Sequence, residues 1–169
     1  AGGQITVLAS DFVKLENGRI SAAGDNDAGG GRIVIRTPSL RLRGGVISTG
    51  NSDQSIPGGI DITANQIALS EASRIESAST SKYGAGSIDL HVGRHLHVSD
   101  SAITTTSSAA GGGNITLSGA DAVLLSRAQI TTSVTGENYD GKGGNGGNIT
   151  LGARSLALDN GFIQANSVA

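Results

Sequence analysis

Apolar residues along this chain recur in pairs separated by a single residue, and the pairs themselves return at nearly constant distance. A first pair reads Ile5/Val7, Ile33/Ile35, Ile60/Ile62, Ile88/Leu90, Ile115/Leu117 and Ile149/Leu151. A second follows as Val13/Leu15, Leu40/Leu42, Ile67/Leu69, Leu96/Val98, Val123/Leu125 and Leu156/Leu158. A third segment centres on Ile20, Ile47, Ile75, Ile103, Ile130 and Ile163, with a small residue two places on: Ala22, Thr49, Ser77, Thr105, Thr132 and Ala165. Period-two alternation marks strands with one buried face, and no segment sustains the three- and four-residue spacing of a helix.

The first residues of successive opening pairs lie 28, 27, 28, 27 and 34 positions apart. Three short strands cannot bury their apolar faces alone, but stacked repeats can bury a continuous core. The pattern therefore predicts an all-β fold: a right-handed parallel β-helix of six coils, each of about 27 residues and three strands. The handedness follows from the crossover rule for parallel strands. At ~4.8 Å per coil the rod would be about 29 Å long. Glycines before the first strand, such as Gly29–Gly31, Gly58-Gly59, Gly111–Gly113 and Gly146-Gly147, mark corners where positive φ would be cheap. Asn17-Gly18 and Asn160-Gly161 mark turns into the third strand. Asn114 and Asn148 occupy equivalent corners in successive coils, the arrangement of a short side-chain amide ladder. The long interval arises from a polar, glycine-rich stretch from Val134 to Gly147, expected as a surface loop.

Composition narrows the core. Phe12, Phe162, Tyr83 and Tyr139 are the only aromatics, with no Trp, Met or Cys, so a narrow interior of stacked aliphatics is expected. The absence of Cys excludes disulfides and thiol chemistry. A formal charge of -2 with 15% charged residues argues against nucleic acid as a partner. No apolar run approaches the ~18–20 residues that span a bilayer as a helix. The chain opens inside a repeat at Ala1-Gly2-Gly3 and closes just after a third strand, as expected of an excerpt from a longer β-helix rather than a capped domain.

Gly112-Gly113-Asn114-Ile115-Thr116-Leu117 and Gly146-Gly147-Asn148-Ile149-Thr150-Leu151, each followed by an apolar pair and then by Ile130-Thr131-Thr132 or Ile163-Gln164-Ala165, resemble the repeats of filamentous-haemagglutinin-type exoproteins of bacterial two-partner secretion. The resemblance covers nearly the whole chain, more loosely in the first four coils. It implies a right-handed β-helix, export through an outer-membrane transporter to the medium or cell surface, and a structural or adhesive role without a cofactor; the uncapped repeat adds the expectation of flanking coils of the same protein as neighbours. The family's secretion domain carries an Asn-Pro-Asn signature, whereas Pro38 and Pro57 here follow Thr37 and Ile56.

Five sets of residues carry candidate chemistry. Stacking places Asp61 beside Asp89 on adjacent strands; such a pair could share a proton, bind Ca²⁺ or act as acid and base, as in polysaccharide lyases and hydrolases built on β-helices. The same column carries Thr6, Val34, Thr116 and Thr150, so no third carboxylate joins it. His91, His95 and His97 invite a metal site, but His97 is an outward residue between inward Leu96 and Val98. Arg32, Arg36, Arg41 and Arg43 cluster in the second coil, with Lys14 one coil below Arg41, as a candidate contact for a polyanionic glycan or matrix ligand. Asp25, Asn26, Asp27 and Asp140 hint at calcium loops without the nine-residue period of calcium β-rolls. Thr104–Thr106, Ser107, Ser108, Thr131 and Thr132 read as a hydroxyl-rich outer face. The expected function is a non-catalytic shaft of an adhesin; the alternatives are a glycan- or matrix-binding segment using those arginines, or a polysaccharide-processing enzyme using Asp61 and Asp89.

Overall fold

Inward pairs from successive coils meet because each coil returns the chain to the same corner. In a computed structural model, described for residues 2–24, 29–52, 57–108, 110–136 and 144–167, the result is a parallel β-solenoid. The first coil contributes β1 (Gln4–Leu8), β2 (Phe12–Glu16) and β3 (Arg19–Gly24), and the second β4 (Arg32–Arg36), β5 (Ser39–Arg43) and β6 (Val46–Asn51). From the third coil onward the expected first and second strands fuse. Those coils hold β7 (Ile60–Ser70) with β8 (Arg74–Ser79), β9 (Ile88–Ser99) with β10 (Ala102–Ser107), β11 (Ile115–Ser126) with β12 (Gln129–Val134), and β13 (Ile149–Asp159) with β14 (Phe162–Ser167). Three strands per coil thus holds for the first two coils and becomes two thereafter.

One sheet stacks β1-β4-β7-β9-β11-β13, with β2 and β5 completing its lower rungs; the other stacks β3-β6-β8-β10-β12-β14. Every expected inward column is in register. Ile20, Ile47, Ile75, Ile103, Ile130 and Ile163 are consecutive partners, as are the six positions beginning at Val13 and the six beginning at Leu15. The isoleucines of the middle coils are fully buried, whereas those of the first and sixth rungs, with a neighbour on one side alone, are half-buried. The core is the aliphatic column that the scarcity of aromatics requires.

The glycine-rich corner works for a different reason from the one expected. The left-handed glycines among the described residues are Gly44, Gly84 and Gly119; Gly84, four residues before β9, is the one at this corner, and the glycine runs named above hold none. The corner instead needs close approach. A Cβ on Gly86 would overlap the Gly58 carbonyl oxygen, and one on Gly113 would overlap that of Gly86. Thr105 Oγ1 donates to Gly113 O at 2.7 Å and Thr132 Oγ1 to Gly147 O at 2.8 Å, tying the inward threonines to this stack. Thr105, Ser107 and Thr132 are accordingly buried rather than part of an outer hydroxyl face: the two threonines find a carbonyl at the backbone corner, and Ser107 Oγ accepts from Ala110 N at 3.2 Å.

Left-handed residues fall at the other turn, before the third segment: Asn17, Ala72, Asp100, Arg127 and Asn160 with φ between 46° and 59°, and Gly44 at 61°. The two Asn-Gly turn signals are correct, with Asn as the left-handed residue, as its side chain tolerates. The expected amide ladder takes another form. Asn114 Oδ1 accepts from the backbone N–H of Asn148 at 2.9 Å, because the next coil presents its main chain there. The loop expected from Val134 to Gly147 is described at its flanks, while residues 137–143 lie outside the described residues, as do Asp25, Asn26, Asp27 and Asp140.

Candidate functional site

The fused strands bend where the first inward pair gives way to the second. Register shifts between Ala64 and Gln66 and between Leu117 and Ala120 mark the bend, and such bulges re-aim the chain. Thr37, Ala64, Val92 and Ala120 turn inward there, an additional buried position that the spacing of the pairs does not reveal. Outside the bend runs a furrow of about 900 Å³ that follows the solenoid across five rungs. One wall is a register column, Leu8–Arg36–Thr63–His91–Ser118. Pro38, Asn65 and Gly93 also line it, together with the buried Ala64 and Val92. His91 Nδ1 lies 2.9 Å from Ser118 Oγ, linking adjacent rungs of the wall.

The backbone of this corner is largely spent on neighbouring coils. Ala9 N donates to Arg36 O at 3.0 Å, Thr37 N to Thr63 O at 3.0 Å, and Asn65 N to Pro38 O at 3.0 Å. The furrow's lining contains one guanidinium and one imidazole and no carboxylate.

The four arginines of the second coil separate into different surroundings. Arg32 Nη2 bonds Asp61 Oδ2 at 3.2 Å, and Arg43 Nε bonds Glu71 Oε1 at 2.6 Å. Arg36 reaches the furrow, whereas Arg41 stands exposed on β5 opposite Lys14, which itself pairs with Glu16 at 2.6 Å. Neither Arg36 nor Arg41 enters an ion pair among the described residues.

Asp61 and Asp89 are register partners on β7 and β9, as the coil alignment requires, and both border a hollow that includes Arg32, Gly59 and Ser87. The Asp61 carboxylate is engaged by Arg32 from the coil below. His91, His95 and His97 sit on three different columns, opposite Thr63, Gln66 and Ala68 of the preceding rung, so the stack spreads them instead of converging them.

A further ion pair sits at the left-handed turn. Arg127 Nε and Nη2 bond Asp100 Oδ1 and Oδ2 at 2.7 and 2.8 Å across one rung. The hydrogen bond from Arg127 holds the Asp100 carboxyl below the usual aspartate range, with Ser99 assisting and partial desolvation opposing. A depressed carboxylate stabilises the fold above its unfolded value, near pH ~3.9, and that contribution is lost as pH falls through the lower folded value. Carbon NMR titration of Asp100 should show the depressed midpoint, and Arg127→Gln should return it to the ordinary range; an unchanged midpoint in that variant would mean the pair is not formed in solution.

No family model, curated protein or solved structure matches the chain.

Proposed function

We propose that the chain is a non-catalytic shaft segment of a secreted or cell-surface bacterial adhesin, flanked by further coils of the same protein and exported through an outer-membrane transporter. The supporting observation is the unbroken register of the inward columns through all six rungs. Such a stack lengthens by adding coils without changing its cross-section, which suits a spacer that carries other regions away from a surface. The resemblance of the Gly-Gly-Asn-Ile-Thr-Leu repeats supplies the export route.

The test is topological. Antibodies raised against this segment should label intact producing cells or the medium, and external protease should remove the cell-bound signal. Detection only after both membranes are permeabilised would overturn the reading. Purified protein should leave acidic polysaccharides uncleaved with or without Ca²⁺; turnover that disappears in Asp61→Asn or Asp89→Asn would replace the shaft by an enzyme.

A further inference from the structure

We propose that the furrow along the bend binds an extended acidic glycan, a uronate-containing chain lying parallel to the solenoid axis. The proposal is independent of the shaft reading, since it concerns the isolated segment's affinity for a sugar polymer. Shape comes first. The furrow crosses five rungs, and at ~4.8 Å per rung its wall runs about 19 Å from Leu8 to Ser118. That step is close to the advance of one pyranose along an extended glycan, so consecutive rungs can address consecutive sugars.

Chemistry selects among polymers. Thr63, His91 and Ser118 offer donors and acceptors at one-rung intervals, with Asn65 beside Thr63 on the same rung, matched to ring hydroxyls. Leu8, 69% exposed, and Pro38 give apolar surface for the C–H faces of the sugars. Arg36 supplies the charge. Its neighbours Arg32 and Arg43 are engaged by carboxylates, but Arg36 has no ion-pair partner among the described residues and no acid lines the furrow with it. A guanidinium so placed is suited to a planar carboxylate, which it can grip through two parallel hydrogen bonds.

Two other classes of polymer fit less well. A peptide adding as a strand needs unpaired backbone, and the main-chain bonds between coils occupy this corner. A nucleic acid needs many cations, and the furrow offers one guanidinium.

Calorimetric titration of the segment with a defined oligogalacturonate, its carboxyl-reduced neutral form and poly-glutamate tests the assignment. Oligogalacturonate should bind, and the reduced form should bind about tenfold more weakly, the scale of one charge-assisted hydrogen bond lost. Arg36→Ser should reproduce that tenfold loss, and Thr63→Asp, which places a carboxylate in the wall, should weaken binding at least as much. Both side chains are exposed, and unchanged circular dichroism would confirm that each variant is folded. The double substitution Arg41→Ser and Arg43→Ser, away from the furrow, should leave affinity within twofold. Absence of oligogalacturonate binding at low salt would overturn the proposal. So would binding that survives Arg36→Ser but fails in the Arg41/Arg43 double variant, or equal Arg36-dependent affinity for poly-glutamate.

Discussion

Replacing Ile103 by Ala is expected to cost about 2–5 kcal/mol of stability, and replacing it by Asp to cost more, to the point of unfolding the middle coils. Ile103 is fully buried between Ile75 and Ile130 in the column of the third segment. A close-packed interior relaxes little around a missing side chain, so Ala leaves a cavity in addition to losing transfer energy. Asp adds an uncompensated charge in a column whose neighbours above and below are aliphatic. Urea denaturation monitored by circular dichroism gives the comparison. An Ile103→Ala variant within ~0.5 kcal/mol of the parent, the range of ordinary surface substitutions, would mean that the column is not packed as described.

Gly86→Ala and Gly113→Ala are expected to be as damaging, although each adds only a methyl group. The added carbon would overlap the carbonyl oxygen of Gly58 or Gly86 respectively, and both obstacles are backbone. Nothing flexible can yield, so neighbouring coils must separate. The cost should reach the upper end of the ~1–3 kcal/mol typical of overpacking, or exceed it. Gly3 is the control, because a Cβ there meets nothing within 4 Å. Gly3→Ala should be nearly neutral in the same denaturation experiment. Equal effects at Gly3 and Gly113 would show that glycine is required for chain flexibility instead of close stacking.

The inward columns were legible in the sequence because period-two alternation fixes which face each residue takes. A slip of one residue would expose the whole set. Asp61 and Asp89 could be aligned for the same reason. The corners were less legible, since a glycine that admits a neighbouring carbonyl looks the same in sequence as one that supplies positive φ. Nor did the pairs show that β7, β9, β11 and β13 run through the bend, because the residues between them alternate out of phase at the bulges. The furrow was missed with the bend that creates it. One signal was available: Arg36, Thr63, His91 and Ser118 each follow the second residue of an opening apolar pair, and so belong to one column. The arginine cluster was visible as composition, but its division depends on acids one coil away, Asp61 and Glu71.

The nearly constant distance between stacked residues also bears on how fast such a rod can assemble. Each coil closes onto its predecessor across an interval of 27 or 28 residues, except the last, at 34. Closing a loop of that size costs about 3 kcal/mol in the logarithmic part of its entropy, and the longer interval adds only about 0.2 kcal/mol. Every coil after the first therefore faces nearly the same barrier, however many precede it. Assembly becomes a sequence of equal steps on an existing template, and its rate per coil is independent of the length of the finished rod. A chain threaded end-first through a narrow opening can fold each coil as it emerges, and each completed coil makes retreat through the opening more costly.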